Sequence, residues 1–245
     1  MIVAPIPIKG RRALIPWTLK RLTNMGVTPL CITEADKDTR LIESYNIPVK
    51  KFPKMSLGDK WNMGFEWARD YEPHAVLFVG SGDWVSDNWL DLYGEDYDMV
   101  GVRGAYFLHR MYKTKPHPTS LGDFTMKMGY WRGSIDERKG ESAGGGRILS
   151  RRILERMDYR PFQKGADKNM DSSMLAQVNK HKGNVLLVTN DKYKTLSVSC
   201  DLWSNLHDID QDSDIRIAGV KRFLKENFKE GLETWNVEGV YSQLK

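Results

Sequence analysis

Short apolar runs alternate with amphipathic helical patterns through roughly the first hundred residues of the chain. The apolar runs, which predict strands, are Ile2–Pro7, Pro29–Thr33, Ile47–Phe52, Ala75–Val79 and Met99–Val102. The segments with apolar residues at helical spacing, which predict helices, are Ala13–Met25, Thr39–Tyr45 and Leu57–Tyr71. Such alternation is typical of a parallel-rich sheet with helices on both faces, so the sequence predicts an α/β fold.

The pattern weakens after Arg103, where strand-like segments stand among glycine, proline, lysine and histidine. The strands predicted in this half are Tyr106–Tyr112, Phe124–Trp131, Asn184–Val188 and Leu196–Val198. The helices predicted there are Arg147–Met157, Met170–Lys180 and Ile215–Phe228. Because the 245 residues contain no internal repeat and no linker, we expect a single domain over residues 1–245.

The composition limits the classes of protein to which the chain can belong. Two cysteines, Cys31 and Cys200, are too few for a disulfide framework or a cysteine-based zinc site. No apolar run reaches the length of about 20 residues that a membrane-spanning helix needs. The first residues also lack the charge order of a secretory leader. We therefore expect a cytoplasmic protein, and its net charge of +5 hints at an anionic ligand.

The most informative segment is the apolar run at 75–79 with the turn that follows it, Gly80-Ser81-Gly82-Asp83. In open α/β sheets, ligands bind outside the carboxyl ends of the strands. Glycines let a ligand approach the backbone, and the Asp83 carboxylate is a hard oxygen ligand for Mg²⁺ or Mn²⁺ beside a diphosphate. The alternative is an ordinary tight turn in which Asp83 or Ser86 caps the following element.

Two aspartates, Asp167 and Asp171, stand near the predicted start of the helix Met170–Lys180. A carboxylate in this position can act as the general base that takes a proton from an acceptor hydroxyl. Aspartate is also a common N-cap residue, so a purely structural role is the alternative. The sequence does not decide between the two aspartates.

Two further segments suit contact with a ligand. Three glycines, 144–146, precede Arg147 and the helix predicted from it, whose N-terminus would favour an anion. Their spacing matches neither a P-loop nor a dinucleotide fingerprint, and a flexible hinge is the alternative. In the helix that begins at Leu57, Lys60 and Asn62 lie off the apolar stripe. Lys60 could reach a phosphate or a base there, or it could simply be solvated.

Taken together and in this order, the segments resemble a glycosyltransferase of family 2 with the GT-A fold, of the small stand-alone type common in phage and bacterial sequences. The matching segments are Ala4-Pro5, Leu57–Gly64, Gly80–Ser86, Gly144–Arg151 and Asp171–Met174. The resemblance implies a Rossmann-like mixed sheet flanked by helices. It also implies a nucleotide-sugar-binding half at 1–102, an acceptor-binding and catalytic half at 103–214, and a C-terminal helix and tail at 215–245.

The resemblance assigns roles to individual residues. Asp83 would be the last carboxylate of a DxD-like motif that binds Mn²⁺ or Mg²⁺, and Asp171, with Asp167 as its competitor, would be the base of an inverting displacement. The donor contacts that it implies are Pro5, Glu34, Asp36, Lys60, Asn62, Ser81, Gly82 and Asp83. The acceptor contacts that it implies are Gly145, Gly146 and Arg147, and the basic, aromatic stretch 103–139 adds Tyr130, Trp131 and Arg132 as acceptor contacts.

The chain departs from the family pattern at the metal motif. The family usually has an acidic residue where this chain has Ser81 or Gly82, so Asp83 is the carboxylate that remains there. GT-A enzymes often add a C-terminal histidine ligand, and His207 is the residue that fits this description. A lone histidine is more often a surface or capping residue.

The composition of residues 103–139 suggests a class of acceptor molecule for the transferred sugar. This stretch holds eight basic residues against three acidic ones, with six aromatic residues interleaved. Proteins hold phosphate backbones and unstacked bases with this combination, and an enzyme that acts on a duplex base must flip it out. We therefore predict transfer of a sugar, first of all from a UDP-sugar, to 5-hydroxymethylpyrimidines in DNA, in the host cytoplasm if the protein is phage-encoded. The alternatives are a cell-surface glycan, lipid-linked sugar or protein as acceptor, a non-catalytic nucleotide-sugar binder, and a merely solvated β-ribbon.

Overall fold

The computed structural model describes residues 1–9, 12, 14–112, 124–131, 145–167, 170–188, 192–198 and 217–229. Its strands are β1 (Ile2–Pro7), β2 (Val27–Thr33), β3 (Val49–Lys51), β4 (Ala75–Phe78), β5 (Asp83–Val85), β6 (Met99–Val102), β7 (Ala105–Tyr112), β8 (Phe124–Trp131), β9 (Arg147–Ser150), β10 (Val185–Val188) and β11 (Thr195–Val198). Its α-helices are α1 (Ile15–Asn24), α2 (Asp36–Glu43), α3 (Leu57–Ala68), α4 (Arg151–Arg156), α5 (Met170–Lys180) and α6 (Ile217–Asn227). Short 3₁₀ helices cover Arg69–Tyr71 and Trp89–Leu92.

The larger sheet has the strand order β10-β6-β9-β4-β1-β2-β3. Strand β1 pairs in parallel with β2 and β4, and the pairs β2–β3 and β6–β10 are parallel as well. Strand β9 runs antiparallel between β4 and β6, which makes the sheet mixed. The predicted fold class, an α/β fold with a Rossmann-like mixed sheet flanked by helices, is confirmed.

The two faces of this sheet are covered by different helices because successive strand side chains point to opposite faces. Val3 of β1 packs in one core cluster with Trp61 and Phe65 of α3. Its neighbour Ala4 packs in a second cluster with Leu19 of α1. The continuous apolar runs of the sequence reflect this burial on both faces.

The helix predicted over Arg147–Met157 is wrong in its first part. Residues Arg147–Ser150 form β9, and the Ser150 side chain then caps the short helix α4 by accepting a hydrogen bond from the Ile153 amide at 3.3 Å. Ile148 and Leu149 pack in opposite core clusters, as neighbours in a central strand do. Because no helix begins at Arg147, no helix N-terminus is present there to favour an anion.

A smaller sheet has the order β5-β11-β7-β8. Strands β7 and β8 form an antiparallel pair, and β11 joins β7 in parallel and β5 antiparallel. The strands predicted at Tyr106–Tyr112, Phe124–Trp131 and Leu196–Val198 are confirmed, whereas β5 was not predicted. In the part of the chain that the structure describes, no helix combines the length and the apolar character needed to cross a membrane.

Candidate functional site at the carboxyl edge of the sheet

Several residues that the sequence singled out follow the carboxyl ends of parallel strands. Glu34 comes directly after β2, and the turn with Asp83 comes after β4. Strand β9 is antiparallel, and its first residue, Arg147, pairs with the last residue of β4, Phe78. Arg147 therefore lies at the same edge, which is where open α/β sheets bind their ligands.

An aromatic cluster of Trp61, Phe65, Phe78 and Phe162 fixes three segments next to this edge. The ring centroids of Trp61 and Phe78 lie 4.4 Å apart, and those of Phe78 and Phe162 lie 5.3 Å apart. All four rings are buried in the core. Since buried aromatic rings contribute large apolar areas, the cluster holds α3, the end of β4 and the segment before α5 together.

Lys60 and Glu34 form a largely buried ion pair beside the end of β2. Lys60 Nζ lies 2.5 Å from Glu34 Oε1, and Lys60 is 4% exposed. The hydrogen bond from Lys60 lowers the pKa of the Glu34 carboxyl; desolvation opposes this, and the charges of Lys60 and Lys9 add to it. Glu34 is therefore anionic at neutral pH, and the solvated Lys60 that the sequence allowed is excluded.

Asp36, the other acid after β2, lies on the surface. Its Oδ1 is 2.5 Å from Nζ of Lys51, and both side chains are exposed. The hydrogen bond from Lys51 lowers the pKa of the Asp36 carboxyl. Asp36 thus begins α2 in an exposed ion pair.

Asp83 closes the turn after β4 with its own side chain. Its Oδ2 accepts a hydrogen bond from the Gly80 amide at 3.0 Å, while its amide donates to the Gly80 carbonyl at 3.1 Å. Gly145 stands opposite, because a Cβ at that position would lie 3.4 Å from the Asp83 carboxylate. A half-buried carboxylate thus faces a backbone that has no side chain.

The turn is held from behind by a residue that the sequence analysis missed. Thr18 Oγ1 donates to the Ser81 carbonyl at 3.0 Å and accepts a hydrogen bond from the Trp84 indole at 3.0 Å. Ser81 and Gly82 are buried in this arrangement. No sequence signal could have identified Thr18, because it lies in an ordinary amphipathic helix 63 residues before Ser81.

At this turn Asp83 supplies one carboxylate, a hard oxygen ligand of the kind that divalent cations prefer. Among the described residues, no group of three His, Cys, Asp or Glu side chains could hold an ion. Mg²⁺ commonly binds one or two carboxylates together with substrate phosphates and water, and Asp83 can supply one carboxylate. His207, the other metal ligand predicted from the sequence, lies outside the described residues.

Gly146 is fixed by close packing at the start of β9. Its φ is +92°, its amide donates to the Phe78 carbonyl at 2.7 Å, and its carbonyl accepts from the Trp89 indole at 2.7 Å. A Cβ there would lie 2.6 Å from the Trp89 ring and 2.8 Å from Thr195. Only glycine fits this position, so Gly146 is not a flexible hinge.

Arg147 links β9 to the first turn of α5. Its side chain is fully buried, and Nη1 donates to the backbone carbonyl of Asp171 at 2.5 Å. A buried guanidinium needs such acceptors, because its desolvation is costly. The half-buried Asp171 is therefore held at its backbone from the edge of the sheet.

The remaining predicted site residues, two donor contacts and the second candidate base, lie in and beside α3. Asn62 donates from Nδ2 to the Phe162 carbonyl at 2.9 Å and accepts at Oδ1 from the Phe162 amide at 3.0 Å. Asp167 Oδ1 accepts from the Leu57 amide at 2.8 Å. Pro5 is buried under α3, where a Cβ at Gly64 would lie 2.8 Å from its own Cβ.

Three acceptor residues predicted from the sequence lie partly or wholly outside the described residues. Tyr130 and Trp131 lie in β8, where their backbones pair with Tyr106 and Ala105, but their side chains are outside the described part. Arg132 lies outside it altogether. Their roles stay predictions.

The sequence matches no known family model and no curated protein. Its structure is similar to residues 1–349 of TarS from S. aureus, with a TM-score of 0.52 and 14% identity over 80% of this chain. The chain spans 60% of that structure. The inositol-1-phosphate CTP transferase from T. maritima gives a TM-score of 0.47 with 7% identity (80% of this chain, 88% of that one). HddC from Yersinia pseudotuberculosis gives 0.46 with 15% (80% and 93%).

At these identities the similarity concerns the fold. The chain shares the overall architecture of the matched part of TarS. The resemblance to glycosyltransferase family 2 stays a prediction from the sequence.

Proposed function

We propose that the protein is an inverting glycosyltransferase, which moves a sugar from a nucleotide-sugar, first of all a UDP-sugar, to a hydroxyl group. The observation that carries the proposal is the set of groups at the carboxyl edge of the larger sheet. The Glu34–Lys60 pair, the Asp83 turn with Gly145, and Asp171 beside Arg147 all follow or adjoin strand ends there. The fold shared with nucleotide-using transferases agrees with it.

The Glu34–Lys60 pair is suited to the nucleoside. The anionic Glu34 can accept a hydrogen bond from a base N–H or a ribose hydroxyl, and Lys60 keeps the carboxylate in place. The aromatic cluster fixes the helix that carries Lys60, and Lys60 holds Glu34. The Glu34 carboxylate oxygens, which would accept these hydrogen bonds, are therefore preorganised. Such preorganisation lowers the entropy cost of binding the donor.

The Asp83 turn is suited to the diphosphate. A divalent cation held by Asp83 and the donor phosphates would offset the charge that develops on the leaving diphosphate. The bare backbone at Gly145 leaves room beside the carboxylate for the phosphates and the sugar.

Asp171 is suited to the role of the base. Its carboxylate takes the proton of the acceptor hydroxyl while that oxygen attacks the anomeric carbon, and the bond from this carbon to the diphosphate oxygen breaks with its electron pair. The configuration is inverted and no covalent enzyme intermediate forms. Arg147 donates a hydrogen bond to the Asp171 carbonyl, so the backbone that carries the carboxylate is anchored.

The acceptor proposed first is a 5-hydroxymethylpyrimidine in DNA. It is supported by the surplus of basic residues and the aromatic residues in the stretch 103–139. A glycan, lipid-linked sugar or protein acceptor is the competing possibility for the same transfer chemistry.

The test is transfer from UDP-glucose carrying a radiolabelled sugar, with Mn²⁺, to hydroxymethylcytosine DNA and to ordinary DNA. Label in the first DNA alone supports the proposal in full. Release of UDP without labelled DNA retains the glycosyltransferase and removes the DNA acceptor. Binding of UDP without any turnover indicates a non-catalytic binder, and release of pyrophosphate from CTP with a sugar phosphate indicates nucleotidyl transfer instead.

A further inference from the structure

The start of α3 is joined to the segment 162–167 by hydrogen bonds from both sides. The amides of Leu57 and Gly58 donate to Oδ1 of Asp167 and to the carbonyl of Ala166, at 2.8 and 2.7 Å. In the other direction, the Gly165 amide donates to Asp59 Oδ1 at 3.3 Å. We call this set of contacts, with the Asn62–Phe162 pair described above, the α3 clamp.

The clamp meets a need of the helix itself. The first amides of an α-helix have no partner within the helix, and side-chain or backbone acceptors must supply one. Ser56 serves the Asp59 amide at 3.1 Å, while the acceptors for Leu57 and Gly58 come from more than a hundred residues later in the chain. Asp167 thus acts as a capping acceptor for a distant helix.

The clamp also ends next to the proposed base. The Gln163 amide donates to Ser173 Oγ at 2.9 Å, which ties the clamped segment to the first turns of α5. Asp171 lies in the same turns, and its carbonyl is held by Arg147. The backbone around Asp171 is therefore anchored on one side to β9 and on the other side to α3.

From these contacts we infer that Asp167 and Asn62 are positioning residues, which fix the start of α5 and with it the proposed base, Asp171. The inference rests on the proposed function. Oδ1 of Asp167 is committed to the Leu57 amide, and both amide atoms of Asn62 are committed to the backbone of Phe162. Asn62 consequently acts through the acceptor side and not by contact with the nucleotide.

Helix α3 then carries two functions that face different parts of the site. Lys60 holds Glu34 on the nucleotide side, while Leu57, Gly58 and Asn62 hold the segment before α5. Loss of the clamp shifts the base relative to a donor that is still bound. Misplacement of a catalytic group by about 1 Å can lower turnover up to about a hundredfold, so kcat should respond more strongly than the donor KM.

The test compares Asp167→Asn with Asp167→Ala in UDP release from UDP-glucose. The amide oxygen of asparagine can still accept from Leu57, so Asp167→Asn rescues most of the kcat that Asp167→Ala loses, which we expect to be about tenfold. Asp171→Asn lowers kcat at least about a hundredfold. Asp70 is an exposed aspartate on the 3₁₀ helix after α3. The variant Asp70→Asn is therefore the matched control, and it should leave kcat unchanged.

Three kinetic results overturn the inference. A loss in Asp167→Asn as large as that in Asp171→Asn makes Asp167 the base. A kcat in Asp167→Ala equal to that of the wild type removes the positioning role, and an active Asp171→Asn removes the base. If Asp167→Ala does not fold, Asp167→Ser replaces it, because serine offers an acceptor with a shorter reach and should lose kcat only in part.

Hydrogen exchange separates a failure of the clamp from a failure of the proposed function. Asp167→Ala should speed exchange in the peptides that cover residues 57–60 and 170–175, whereas Asp167→Asn should not. This readout needs no substrate. If the wild type releases no UDP, the proposed function fails, while the exchange data still show whether Asp167 stabilises these segments. Equal exchange rates in the two variants overturn the clamp whatever the activity.

Discussion

Two ion pairs after β2 have the same contact distance and differ in their surroundings. Glu34–Lys60 and Asp36–Lys51 both join a carboxylate and an ammonium at 2.5 Å. The side chains of the first pair are 19% and 5% exposed, and those of the second are 68% and 47% exposed. Water and salt screen the second pair, whereas the first pair must satisfy itself because water is largely excluded.

Burial, and not contact distance, distinguishes the acid whose carboxylate is preorganised for a ligand. The resemblance to the family implied Glu34 and Asp36 alike as donor contacts. Of the two, Glu34 has a carboxylate whose position is fixed by a buried lysine and the core behind it. We therefore propose Glu34 as the nucleoside contact.

The largest effect is expected for Lys60→Met, which leaves the Glu34 carboxylate without its lysine partner. We expect a loss of about 1–3 kcal/mol in the free energy of unfolding, because a largely buried charge becomes unsatisfied. Urea denaturation measures it. The double variant Glu34→Gln with Lys60→Met should recover part of the loss, and an unchanged denaturation midpoint in Lys60→Met would contradict the burial argument.

Glu34→Gln tests the proposed contact with the nucleoside while it keeps the shape of the side chain. We expect the Kd for UDP to rise about tenfold, since a charge-assisted hydrogen bond is replaced by a neutral one. Isothermal titration calorimetry measures the affinity. A Kd equal to that of the wild type, with reduced stability, would assign the pair a structural role only.

The pH dependence of stability tests the contribution of the Glu34–Lys60 pair. The folded-state pKa of Glu34 lies below its unfolded value, so the stabilisation by the pair is complete above the usual glutamate pKa and is lost as the pH falls through the lowered value. The stability difference between wild type and Glu34→Gln should therefore be largest at neutral pH and shrink below about pH 4. Thermal unfolding of both proteins over this pH range provides the measurement.

Asp36→Asn should have the smallest effect. The pair with Lys51 is exposed and screened, so we expect the Kd for UDP to stay within about twofold of the wild type. The same calorimetric titration serves as its measurement. A loss of affinity as large as that in Glu34→Gln would reverse the assignment of the two acids.

The α/β fold was predictable from the first half of the chain because its strands and helices have strong local patterns. At the end of α1, Gly26 follows the C-cap residue Met25 with a φ of +77°, a conformation that glycine adopts readily. The patterns failed at β5 and at β9. A short buried strand resembles a helix segment in sequence, and the apolar residues of β9 run directly into those of α4.

The candidate site was predictable to the level of segments. The turn at Asp83 and the start of α5 lie where the sequence suggested, since both follow recognisable elements. The partners of the side chains were not predictable. Lys60 was as compatible with solvent as with Glu34, and Asp167 was as compatible with catalysis as with capping.

Local patterns were enough to predict most of the strands and helices and the residue types at the sheet edge, because hydrophobic periodicity and turn chemistry act between near neighbours. Which of these residues contact one another depends on the tertiary packing. The Asp167 carboxylate meets the Leu57 amide across 110 residues, and Asn62 meets Phe162 across 100 residues. Such contacts depend on how α3 and the segment before α5 pack on a shared aromatic core, and no local pattern records that packing.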